Sequence, residues 1–196
     1  GVLQHSDFRR DAWGRLLRTA DYVGTVVFGT TADAVAAGAR VRRIHERLRA
    51  TDPVTGGDFR SDEPDLLRWI HVTEVESFVT TARRAGAPLS AAEVDDYYAE
   101  QVRSAELVGL DPATVPASAV EVETYYRQVR PELAASQLTA EVARFLTIPP
   151  MPRWVSLAGG RVGWLALAAV GFTLLPRWAR RLYGLPGLPT TDLSAT

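Results

Sequence analysis

The stretch from Glu63 to Ala85, EPDLLRWIHVTEVESFVTTARRA, decides the fold class. Pro64 and Asp65 suit a first helical turn, where proline forfeits no hydrogen bond and a carboxylate meets the positive end of the helix dipole. Leu67, His71, Val75 and Phe78 then recur at three- and four-residue spacing, which puts them in one stripe, and Leu66, Trp69 and Ile70 widen it. Arg83-Arg84 and then Gly86 supply a basic last turn and a C-terminal glycine.

The same period runs outward from this helix. Upstream, segment 12–29 places Leu16, Tyr22, Val23, Val26 and Val27 at helical spacing and stops at Gly29. Segment 31–50 follows, with Thr30 or Thr31 as N-cap and Val35, Val41, Ile44 and Leu48 on its apolar side. Thr51 to Asp62, with Pro53, Gly56 and Gly57, reads as a loop. Downstream, Ser90-Ala-Ala-Glu93 and Ser118-Ala-Val-Glu121 are capping boxes that open helices reaching to about Gly109 and Leu133. A shorter helix near 138–147 precedes Pro149-Pro150, followed by an apolar segment over 155–175 and the amphipathic Arg177–Tyr183. No strand and no internal repeat is predicted. The expectation is an all-α fold, a single helical domain over 1–184 of about seven to eight helices, with a Pro/Gly/Thr-rich tail over 185–196.

Composition narrows the chemistry. The 196 residues are 46% hydrophobic and 23% charged, which suits one globular domain. The 22 basic residues are offset by 23 acidic ones, so there is no electrostatic case for nucleic acid. Cysteine is absent, which removes disulfides, thiolate metal sites and Cys nucleophiles. Every basic residue is Arg, and with no Lys there is neither Schiff-base chemistry nor a Walker-type phosphate loop. The Arg-only, Ala- and Val-rich usage fits a GC-rich bacterial genome. The chain opens at Gly1 without Met, and its single Met is Met151. The expectation is that a leader has been removed or that an N-terminal piece is lacking.

The longest apolar run, Val162 to Leu175, is shorter than the roughly 20 residues that a bilayer span requires. It reads as a buried or surface-lying helix. A cytoplasmic protein is expected, with peripheral membrane contact or homodimerisation through 155–183 as two uses of this segment. The five tryptophans are expected as core and interface anchors, and one ring of each pair Tyr97-Tyr98 and Tyr125-Tyr126 is expected in the core. Glu74 and Glu76 are expected to be solvated or paired with Arg.

Three histidines exist: His5, His45 and His71. His45 shares a helical face with Val41 and Leu48, and His71 with Leu67, Val75 and Phe78, on consecutive helices expected to pack as neighbours. The ordinary reading of each is a core-edge histidine with satisfied hydrogen bonds. On the first helix Arg15, Thr19, Tyr22 and Val26 line up, with Arg18 beside them. Such arginines are ordinarily solvated or paired; next to an apolar face they can also hold an anionic group or an oxygen ligand. A di-iron bundle fails because no histidine has a Glu three residues before it, and a three-ligand zinc site would need nearly every histidine. No Gly-x-Ser-x-Gly elbow occurs, and Gly159-Gly160 follows no strand. Haem in a helical protein needs one axial histidine, an apolar pocket and something basic for its propionates, all of which this sequence can supply.

The order of the motifs points further. His5-Ser6-Asp7-Phe8, Asp11 to Arg15, Arg18-Thr19-Ala20 and Phe28-Gly29 are followed by Val41-x-x-x-His45 and by Asp65-Leu66-Leu67-x-Trp69-Ile70-His71-x-Thr73. Tyr97 or Tyr98, Pro131-Glu132-Leu133 and Leu175-Pro176-x-x-Ala179-Arg180 come later. In that order they resemble the oxygenase MpaB family, which also contains the latex-clearing rubber oxygenases. The resemblance implies an all-helical fold enclosing a pocket for haem b and its iron. It implies His45 as the proximal ligand, and Arg15 and Thr19 on the distal side. It places Arg18 where rubber oxygenases have a lysine able to cap the iron. A guanidinium stays protonated and cannot ligate, so the resting iron is expected to be five-coordinate, water-bound or held by another group such as His71. Tyr22 and Val41 are expected to line the cofactor. The family's acidic catalytic residue would lie before the first motif, and no residue here is assigned to that role. The implied partners are O2 and an apolar or amphipathic small molecule. A helical ligand-binding or dimerisation module without cofactor is the competing class.

Overall fold

The computed structural model describes residues 12–52, 55–151 and 153–183. The motif from His5 to Asp11, the tail over 185–196 and the side chain of Trp13 lie outside the described residues. Nine α-helices and one two-stranded hairpin make up those described, in two compact units that meet in sequence at Pro131 and Glu132.

The first unit begins with α1 (Ala12–Phe28) and α2 (Thr31–Arg47). Thr30 is the N-cap of α2: its hydroxyl accepts the Asp33 backbone N–H at 3.2 Å, and the Asp33 carboxylate faces back to Thr30. The helix expected to reach residue 50 ends at Arg47, because Leu48 turns extended and the chain enters a hairpin. Its strands are β1 (Arg49–Thr51) and β2 (Asp58–Arg60), antiparallel with Ala50 opposite Phe59. No strand was expected there. The turn that makes it possible contains Gly56 at φ 73°, whose N–H donates to Asp52 O at 2.8 Å, while Asp52 N–H donates to Gly57 O at 2.8 Å.

Helix α3 (Pro64–Arg84) follows with proline in its first turn, as expected, and the chain leaves it at Gly86 with φ 90°. Its buried side carries Leu67, His71, Val72, Val75 and Val79, whereas Phe78, expected in the same stripe, is largely exposed. Helix α4 (Ala91–Leu107) starts on the Ser90/Glu93 capping box and stops before Gly109 at φ 103°. A 3₁₀ turn at Pro112–Thr114 leads to α5 (Ala119–Val129). Ser118 caps α5, but the Glu121 carboxylate accepts the Ala117 N–H at 2.7 Å, so the box is displaced by one residue. The helix expected to reach Leu133 gives way to a 3₁₀ turn at Arg130–Glu132, where Pro131 has no N–H to donate.

Packing in this unit centres on α4. Helix α2 packs mainly on α1 and α4, while α3 packs on α4. The direct pairing of α2 with α3 expected from their short connection is replaced by a shared neighbour. Leu67, Ala105, Leu110 and Val115 form a core cluster with Val102 against it. Tyr98 and Tyr126 are the buried rings of their pairs, as expected, and Trp69 meets Tyr126 edge-on at 6.1 Å.

The second unit holds α6 (Gln137–Thr147), α7 (Arg153–Leu157), α8 (Gly160–Leu174) and α9 (Arg177–Leu182). The apolar segment over 155–175 is divided at Gly159, whose φ of 84° separates α7 from α8. Helix α8 packs on α7 and α6, and Trp164 donates its indole N–H to Leu146 O at 2.9 Å. Trp154, expected as an anchor, is exposed. No helix among the described residues is long and apolar enough to cross a membrane.

Gly38 marks the crossing of α2 and α4. A Cβ there would lie 2.8 Å from both Leu107 Cβ and Leu107 O, whereas a Cβ at Gly24 meets nothing. Gly38→Ala should therefore destabilise by about 1–2 kcal/mol, because steric overlap outweighs alanine's helical preference. Gly24→Ala should stabilise by about 0.5–1 kcal/mol. Urea melts of the two variants check both signs.

Candidate functional site

Helix α1 carries Arg15, Arg18, Thr19 and Tyr22, and it packs on α2, which carries Val41 and His45. Arg15, Tyr22, Val41 and His45 are half-buried, whereas Arg18 and Thr19 are exposed. Burial, and then the neighbouring Arg18 guanidinium, lowers the Arg15 pKa from its ordinary value. Two cations one turn apart repel each other. The Thr19 hydroxyl donates to Arg15 O at 3.1 Å, which fixes it against its own helix rather than pointing it at a ligand.

His45 sits in the last turn of α2, beside the hairpin. Burial lowers its pKa, and the Asp62 charge acts in the opposite direction. Asp62 is itself gripped by Arg60, whose Nε donates to it at 2.8 Å in a two-point pair that holds the carboxyl below its ordinary range. Asp62 therefore reaches His45 through charge alone: His45 Nδ1 is buried and has no hydrogen-bond partner. Sequence reasoning missed Asp62 because it lies in a stretch read as loop.

His71 is the most enclosed imidazole, 6% exposed among Val72, Val75 and Leu67 on the buried side of α3. Burial pushes its pKa down to about 4, so the ring is neutral at physiological pH. Its Nε2 is buried and unpartnered. The satisfied hydrogen bonds of an ordinary core histidine are thus missing at both His45 Nδ1 and His71 Nε2, and the two rings are not bonded to each other. Leaving a buried polar atom unpaired costs about 1–3 kcal/mol, and such an atom in a folded protein calls for an explanation such as a ligand.

One turn beyond His71, Glu74 brings a third element together. Burial raises its carboxyl pKa, and its charge in turn raises the pKa of Tyr22 on α1 and of Tyr97 on α4, the latter to about 12; burial contributes most at both phenols. Neither Glu74 nor Glu76 forms an ion pair among the described residues; Glu74 is exposed, within the expectation of a solvated carboxylate, and Glu76 accepts the Thr80 hydroxyl at 2.6 Å. The spacing of Glu74 three residues after His71 was the available signal for its place beside the site.

Among the described residues, no group of three or more His, Asp or Glu side chains is arranged to hold a bare metal ion. The donor set suits instead a group that brings most of its own ligands and asks the protein for one imidazole. His45 and His71 each offer a neutral ring with a buried, uncommitted nitrogen.

No curated protein and no solved structure matches the chain. The sequence model of the catalytic domain described as ER-bound oxygenase mpaB/B'/rubber oxygenase matches residues 1–195. That match takes in every helix described above, and the chain belongs to the mpaB/rubber oxygenase family as an oxygenase-like catalytic domain.

Proposed function

We propose that this chain is a haem b-dependent oxidoreductase that acts with O2 on an apolar or amphipathic small molecule. The observation that carries the reading is the pair of imidazoles with buried, unpartnered nitrogens in an oxygenase family domain. His45 would hold the haem iron through its ring nitrogen, and His71 would be a second imidazole near the cofactor. Haem, when bound, supplies the iron at which O2 is activated.

The chain's own residues have separable tasks. His45 presents a neutral ring, because burial outweighs the Asp62 charge in setting its pKa. A neutral imidazole is the form that can ligate. Arg15 and Arg18 would hold an anionic group such as a propionate, and the partial burial of Arg15 would strengthen that attraction. Thr19 is held by the Arg15 carbonyl and contributes a proton only by rotating off it. Tyr22 stays a phenol at neutral pH under burial and the Glu74 charge, so it keeps an O–H to donate. Val41 and the apolar residues around His71 exclude water and select an apolar substrate.

Absorption spectroscopy with a pyridine haemochrome assay tests the reading. A Soret band with about one haem per chain is expected. His45→Ala should abolish stoichiometric haem while helical content is retained by circular dichroism, and unchanged haem there would sink the axial assignment. His71→Ala should keep haem and shift the band.

His71 also gives a pH signature in the haem-free chain. It takes a proton near pH 6.5 when unfolded but only near pH 4 when folded, so the unfolded chain binds more protons in between. Stability should be whole above pH 6.5, fall as pH drops, and level off below about pH 4, with a total loss of about 3 kcal/mol. His71→Leu should flatten that part of the profile in urea melts run across the interval.

A further inference from the structure

The second unit carries an apolar surface that the proposed haem chemistry does not use. Along α8, Trp164, Ala168 and Phe172 are half-buried at four-residue spacing and form the inward side. Opposite them Val162, Leu165, Leu167 and Val170 are exposed, with Gly163, Ala166 and Ala169 filling the same arc. Helix α7 adds Trp154 at 74% exposure and Leu157 at 88%. A contiguous patch of this kind marks an interaction surface.

Charge identifies what covers it. From Val142 to Tyr183 there is no Asp or Glu, while six arginines occur: Arg144, Arg153, Arg161, Arg177, Arg180 and Arg181. The remainder of the chain is correspondingly acidic, since the whole carries a net charge of -1. Arg153, Arg161, Arg177 and Arg181 are exposed and bracket the apolar arc in sequence at the starts of α7 and α8 and along α9. A second copy docked on the same face would bring arginine against arginine with no carboxylate to meet it. An anionic bilayer offers negative headgroups for the guanidiniums and an acyl boundary for the apolar arc. Trp154 is the residue type that favours that boundary. At about 1.5 Å per residue α8 is about 22 Å long, short of the roughly 30 Å hydrocarbon core, so it lies on the membrane and does not cross it.

We infer that the exposed face of α7 and α8 docks peripherally on anionic lipid membranes, with Trp154, Leu157, Val162 and Leu167 entering the interface and the flanking arginines holding headgroups. The inference stands independently of haem.

Flotation of the full chain with phosphatidylcholine/phosphatidylglycerol vesicles, against phosphatidylcholine alone, tests it. Binding to the anionic vesicles is expected, weakening as salt shortens the reach of the charges. Arg153→Gln with Arg161→Gln should lower partitioning about 25-fold, at about fivefold per arginine, while Arg40→Gln with Arg43→Gln leaves it unchanged. Leu157→Asp with Leu167→Asp should abolish flotation with helical content retained. Brominated phosphatidylcholine in the anionic vesicles gives a readout on the unaltered chain: it should quench tryptophan fluorescence, and Trp154→Phe should remove most of that quenching. Absence of flotation, equal and salt-insensitive binding to both vesicle types, or quenching that survives in Trp154→Phe overturns the inference. So does a dimer by light scattering that the same Asp substitutions split, since it assigns the face to a second copy.

Discussion

The close approach of α2 to α4 governs how the first unit presents its chemistry. It is possible because Gly38 has no side chain to keep Leu107 away, and a methyl group there would overlap both the side chain and the carbonyl of Leu107. With α4 shared between them, α2 and α3 both turn a histidine toward protein rather than water. The hydrophobic effect secures the arrangement through Val72, Val75, Val79 and the Leu67–Ala105–Leu110–Val115 cluster. His71 is then carried into an environment in which its charged form is too costly, which is why it remains a neutral base.

That enclosure distinguishes the two imidazoles. His45 lies near a carboxylate that is already committed to Arg60, so it feels the charge without gaining a hydrogen bond. His71 has neither a charge nor a bond to compensate its burial. Both costs are tolerated in the fold, and both are the kind that a bound group repays, since a ligand held only by the folded state raises its stability. At Tyr22 and Tyr97 burial first, and then the Glu74 charge, favours the protonated phenol, while burial alone raises the Glu74 carboxyl.

Much of the fold was legible because helical periodicity and capping chemistry are local. Thr30, Ser90 and Ser118 announce helix starts by side chains that bond only three residues away, and Pro64, Gly86 and Gly109 act through their own backbone. The hairpin was not legible, since strands of three residues give alternation no length over which to show, and Leu48-Arg49-Ala50 continues a helical pattern until Leu48 turns extended. Nor was the choice of α4 as shared neighbour, which depends on a contact between Gly38 and Leu107, far apart in sequence. The candidate site divides along the same line. The faces that carry His45 and His71 follow from spacing, but the place of Asp62, the back-bonding of Thr19 and the electrostatic link from Glu74 to Tyr22 and Tyr97 arise only when separate elements meet.

Arginine as the sole cation sharpens what remains for the chemistry. A guanidinium keeps its proton and has no lone pair to offer a metal, and here no lysine can lose one. Every side-chain nitrogen able both to ligate and to change protonation near neutral pH therefore belongs to His5, His45 or His71. Of the two that are described, His45 is held at a helix end within the field of Asp62, whereas His71 is buried on the inner side of α3. The first has a neighbouring charge that partly offsets its burial, and the second is buried with no such charge, which keeps its ring neutral through the physiological range. Arg15 and Arg18, as guanidiniums, can only attract negative charge, so composition alone divides the side chains into imidazoles able to ligate and guanidiniums able only to pair with anions.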